Sequence, residues 1–193
     1  MAPNFLQSVS SAPAVFVVAS LFALLAAHPA SATGDAATEA ELSRLLLPIA
    51  QCAIAESGGH TQDVIAIVWV LAKRAEQAGI SVGQMARKYC RIHRDAGRGI
   101  SRVRPHRRWI LELNWAAPHR RPPSWPGGRW SVMAERWVRV TRLTLLVAAG
   151  ELDDPCPRAF HWGSDADGQP ARTGPVSCGA TRNRFWSRPG RAI

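Results

Sequence analysis

The first 32 residues contain no Lys, Arg, Asp or Glu. The rest of the chain lacks other things. No later run approaches the ~20 consecutive apolar residues that a membrane-spanning helix needs, which argues against further spans. No two cysteines stand in the C-x-x-C spacing of a structural zinc site, so a zinc module is disfavoured. No internal repeat recurs, which excludes a solenoid. The one biased stretch is the Ala/Thr-rich segment 32–40. Acid is also scarce: 14 Asp and Glu stand against 24 Lys and Arg, nearly all of them Arg, giving a formal charge of +10.

What the uncharged leader does contain is the apolar run AVFVVASLFALLAA, closed by Ala30-Ser31-Ala32. An apolar core followed by small residues at an A-x-A site is the pattern of a secretory signal peptide. Residues 1–32 are therefore expected to be removed near Ala32, leaving a single domain over 33–193 that is secreted or periplasmic. An uncleaved membrane anchor is the alternative, for which the run is short. The whole positive charge remains after cleavage. It either reflects an Arg-rich solvated surface or points to an anionic partner, the cell envelope above all; export makes nucleic acid an unexpected partner.

Cys52, Cys90, Cys156 and Cys178 suit two disulfides in an oxidising compartment. Of the three possible connectivities, Cys52–Cys90 with Cys156–Cys178 is favoured, because each bridge closes a loop within one half of the chain.

Leu42, Leu45, Leu46, Ile49, Ala50, Ala53 and Ile54 keep helical spacing from Thr38 onward. Pro48 should kink that helix or restart it, and Gly58-Gly59 should end it. Thr61 is placed to cap a second helix, with Asp63 in its first turn. VIAIVWVLAKRAEQA, apolar nearly all round, reads as the buried central helix. Ser81-Val82-Gly83-Gln84 is a capping box opening a third helix with Met85, Tyr89 and Cys90. Residues 94–108 read as an exposed connection, RRWILELNWA as a short helix, PHRRPPSWPGG as a loop, and Trp130–Ala149 as a fourth long helix. The tail beyond Pro155 has no helical period and reads as a loop-rich, disulfide-stapled lobe. The fold class is mainly α.

Glu56, in AIAESGGH, ends the first helix two residues before the glycines. A carboxylate there faces the negative end of the helix dipole and an apolar neighbourhood, both of which disfavour its charged form. That is the tuning a general acid needs, although the same position also suits a solvated helix-end charge. Among possible second carboxylates, Asp63 is accounted for as a first-turn residue. Asp165-Ala166-Asp167-Gly168 reads as a turn lacking the remaining calcium ligands. Trp69, Trp130 and Trp137 read as core; Trp109, Trp115 and Trp125, beside Arg-rich loops, are candidates for a glycan groove.

AIAESGGHTQDVIAIVWVLAKR resembles the opening of the SleB-type (spore cortex-lytic) cell wall hydrolases, with Lys73-Arg74 in the place of that family's closing basic pair. Ala159-Phe160-His161-Trp162 resembles its Ala-Thr-His-Tyr segment. Gly179-Ala180-Thr181-Arg182-Asn183-Arg184-Phe185-Trp186 resembles its closing Gly-Asn-His-x-Phe-Tyr segment. Residues 75–155 do not match in detail, and Tyr89-Cys90 stands near the place of the family's Gln-Phe segment. The resemblance implies a lysozyme-like helical fold that cleaves peptidoglycan glycan strands. It carries the catalytic glutamate onto Glu56 and makes His161, Trp162, Thr181 and Asn183 substrate-binding candidates. A monomer without cofactor or metal is expected. A hydrolase acting through water normally needs a second carboxylate, whereas a lytic transglycosylase works with one, so the latter is favoured.

Two other readings stay open. One is a peptidoglycan amidase or endopeptidase with Cys52 as nucleophile and His161 as base, which needs a free thiol. The other is a cationic wall-binding module without activity. A metal held by Glu56 and His60 is disfavoured, because the glycines between them break the helix.

Overall fold

Apolar side chains at helical spacing produce the longest element, α1 (Ala32–Ser57). The computed structural model describes residues 32–115, 120–164, 168–171 and 173–189. Helix α1 begins before Thr38 and continues through Pro48 without restarting. Its proline leaves the Arg44 carbonyl without an intrahelical donor. The carbonyl of Pro48 itself lies 2.9 Å from His93 Nε2. Gly58 and Gly59 end the helix at φ 62° and 86°, left-handed values that favour glycine.

Helix α2 (Thr61–Ala78) is the central one: Val64, Ala66, Ile67, Val70 and Leu71 have no solvent-exposed surface. Contrary to expectation, Thr61 does not cap it. His60 occupies the N-cap, without a side-chain cap bond, and Thr61 is already helical. Helix α3 (Val82–Tyr89) opens on the expected capping box: Ser81 Oγ accepts from Gln84 N, and Gln84 Oε1 accepts from Ser81 N. Cys90 lies just past its end. Gly83 lets α3 cross α1 closely, since a Cβ there would meet the Leu45 carbonyl oxygen at 2.7 Å.

Residues 94–108 are not a plain connection. Helix α4 (Arg91–Gly97) and two 3₁₀ turns (Ile100–Arg102 and Pro105–Arg107) lead into α5, which covers only Arg108–Glu112. Helix α6 (Trp130–Ala148) is the expected fourth long helix, followed by Gly150 at φ 74°. Helices α1, α2 and α6 pack on one another around Ile49, Ala53, Ile67, Leu71, Trp137 and Val140.

The tail holds a small antiparallel sheet: β1 (Ala159–Gly163), β2 (Pro175–Val176) and β3 (Arg184–Ser187), in the order β1-β3-β2. Trp162 pairs with Phe185, and an irregularity interrupts β1 between Ala159 and His161. Both disulfides form as expected, Cys52–Cys90 and Cys156–Cys178. They fit an oxidising compartment. Among the described residues no helix is long and apolar enough to cross a membrane.

Trp69 and Trp137 donate their indole N–H groups to Leu152 O and Asn114 O, and Trp137 is fully buried. Trp109 belongs to the core rather than to a groove. It is 5% exposed, donates to His106 O, and stacks edge-to-face with Trp125 and Trp130.

Candidate active site

Two chain segments distant in sequence meet at the end of α1. The first junction is made by Asp63, whose carboxylate has no exposed surface. Its oxygens accept from Arg182 N at 3.0 and 3.2 Å and from Asn183 N at 3.0 Å. His60 Nδ1 lies 3.1 Å from the same carboxylate. A buried carboxylate holding two consecutive backbone N–H groups fixes the position of the segment that carries them. The consequence is direct: Asn183 Nδ2 reaches the Glu56 backbone carbonyl at 3.2 Å. Glu56 itself is half-buried, and its Oε1 atom is out of solvent.

The second junction is made by Lys73-Arg74, one turn from the end of α2. Lys73 pairs with Asp154 at 2.7 Å and donates to Cys156 O and Pro157 O, which ties down the approach to β1. Arg74 donates to Phe160 O at 3.3 Å and lies 3.1 Å from His161 Nδ1 through NH1. Its guanidinium also stacks over the Tyr89 ring, 3.8 Å from the centroid. The Tyr89 hydroxyl is 3.1 Å from the same His161 nitrogen, and its ring meets Trp162 edge-on at 4.8 Å.

This arrangement assigns a tautomer. A guanidinium can only donate, so Nδ1 of His161 must accept, and the neutral ring carries its proton on Nε2. Burial, with Arg74 second, pushes the His161 pKa below its ordinary value, which keeps the ring neutral at pH 7. Nε2 is buried and meets no partner among the described residues. The Tyr89 phenol is pushed up by burial; Arg74 and Arg94 oppose that, and the Glu56 carboxylate adds to it. The Glu56 charge is the smallest of these effects on Tyr89.

The sequence-selected residues divide accordingly. His161 and Trp162 are joined to each other through Tyr89. Asn183 touches the end of Glu56's helix. The Thr181 hydroxyl donates to Asn183 O and, with Asn183, lines a hollow of about 480 Å³ that includes Gln169, Pro175, Arg184 and Trp186. Asp165 and Asp167 lie outside the described residues. Tyr89 and Arg74 join the His161 and Trp162 group without being candidates from the sequence. A lone tyrosine near the Gln-Phe position and the basic pair closing the α2 stretch were the available signals. The Cys52 sulfur is bonded to Cys90, so the nucleophile that an amidase requires is occupied.

The site can therefore offer a carboxyl group at a helix end, an amide beside it, a neutral imidazole and an indole edge. In comparison with known proteins, no family model, no curated protein and no solved structure matches the chain.

Proposed function

We propose that the protein is an exported, lysozyme-like enzyme that cleaves peptidoglycan glycan strands, a lytic transglycosylase acting between N-acetylmuramic acid and N-acetylglucosamine. The observation that carries this reading is the placing of Glu56. Glu56 stands in the last turn of α1 with one carboxyl oxygen out of solvent; Asn183 Nδ2 holds its backbone carbonyl, and its charge is felt at Tyr89, which joins His161 and Trp162.

In this scheme the Glu56 carboxyl group donates its proton to the glycosidic oxygen as the C1–O bond breaks. The resulting carboxylate then takes the proton of the muramic C6 hydroxyl as that oxygen closes on C1. The products are a 1,6-anhydro end and a new 4-hydroxyl end, and no water is consumed. One carboxyl group serves both transfers. Asp63, the nearest carboxylate in sequence, is committed to two backbone N–H groups and is poorly placed to activate water. In this scheme the half-buried Trp162 would contact a sugar ring, and Asn183 and Thr181 would make polar contacts to its substituents.

Digestion of purified sacculi followed by mass spectrometry tests the reading. The wild-type chain is expected to release muropeptides one water lighter than the corresponding reducing sugars. Glu56→Gln should bind sacculi normally and release them about 10²–10⁴-fold more slowly. Products with reducing ends would replace the transglycosylase with a hydrolase. Binding without release by either form would instead identify a cationic wall-binding module.

A further inference from the structure

The described surface has four exposed large apolar side chains: Ile100, Val132, Val138 and Leu145, at 55, 37, 44 and 40%. Three of them lie on α6, and their spacing interleaves them with arginine. Val138, Arg142 and Leu145 follow one another at i, i+4 and i+7, and Val132 and Arg139 at i and i+7, so each set shares a ridge of the helix. Arg136, Arg139 and Arg142 are all exposed, with Glu135 as the one acidic residue among them. The opposite side of the same helix carries Trp137, Val140, Thr144 and Val147 into the core. The outward side of α6 is therefore mixed: Val138 and Leu145 form one apolar ridge, Val132 lies on another, and Arg142 and Arg139 stand between them.

We infer that this outward face of α6 docks the protein on an anionic lipid bilayer. A second copy of the chain is a poor occupant, because a two-fold contact would set arginine ridges against each other. The face is a convex helix surface about 20 Å long from Val132 to Leu145 rather than a groove, so it suits a flat partner. Headgroup phosphates match guanidinium geometry, and the acyl boundary just below them takes up Val and Leu side chains. The charge of +10 on the whole chain favours an extended anionic surface over a single acidic patch. Docking here does not depend on the chemistry at Glu56.

Co-sedimentation with vesicles tests the assignment. One set contains phosphatidylglycerol in a phosphatidylcholine background, and the other contains phosphatidylcholine alone. Residues 1–31 have no Lys, Arg, Asp or Glu, so any bilayer affinity of their own is common to all variants and indifferent to lipid charge. Binding is expected to require the anionic lipid and to weaken as salt rises. Arg139→Gln with Arg142→Gln should lower affinity about 25-fold, at roughly fivefold per arginine. Val138→Ser with Leu145→Ser should lower it about tenfold at unchanged charge and unchanged circular dichroism. Equal binding to both vesicle sets, or full binding by both double variants, overturns the inference. So does capture by soluble polyglutamate without capture by vesicles.

Discussion

Arg74 and Tyr89 converge on a single nitrogen of His161, and the state of that ring follows from the donors available. The two contributions separate by mutation. Tyr89→Phe removes one hydroxyl and leaves Arg74 in place. The imidazole should remain the Nε2–H tautomer by ¹⁵N NMR, while the proposed glycan cleavage falls about 2–10-fold, the worth of one hydrogen bond. Arg74→Gln removes both a fixed cation and the stack on Tyr89. Burial still holds the His161 pKa down, but the electrostatic part is lost, so the ring should titrate at higher pH than in wild type. An unchanged titration in Arg74→Gln would show that Arg74 does not control the ring. The helix end that carries Glu56 is legible from sequence because a carboxylate before two glycines is a local pattern. The role of Tyr89 is not, because it depends on a histidine 72 residues away.

The elements whose signals are local read correctly from sequence: the Gly58-Gly59 stop, the Ser81–Gln84 box and the apolar stretch of α2. The three strands did not, since they are five, two and four residues long and show no clean alternation of burial. Asp63 was understood only in part. Its first-turn position suits the helix dipole, but its partners lie at 182 and 183 and belong to another element. Asp63→Ala should leave two backbone N–H groups without their acceptor, costing about 2–4 kcal/mol. Chemical denaturation measures that loss, and protease sensitivity of the 179–187 segment should rise with it. Gly83→Ala tests the other close approach. The added methyl meets backbone oxygen rather than a flexible side chain, so α1 and α3 must separate, at about 1–3 kcal/mol. A stability equal to wild type would show that the crossing has room to spare.

Over the whole molecule, two buried or half-buried histidines give stability a pH dependence. His93, between α4 and the Pro48 carbonyl, has its pKa lowered by burial and further by Arg87, with the hydrogen bond to Pro48 opposing. His161 is lowered by burial and then by Arg74. In the unfolded chain both rings take up a proton near the ordinary value of about 6.5. The folded chain resists that uptake until a lower pH. Between those two values the unfolded state binds more protons, so stability rises with pH and is lost on acidification. The melting temperature should therefore be flat above about pH 7.5 and fall as pH drops through 6.5, before the carboxylates begin to titrate. His93→Gln keeps a side-chain N–H for the Pro48 carbonyl and removes one of the two protonation sites, so the acid-side slope should flatten. Melting curves from pH 8 to pH 5 for both proteins decide the matter. An identical slope in the variant would place the acid sensitivity elsewhere than at the contact between α1 and α4.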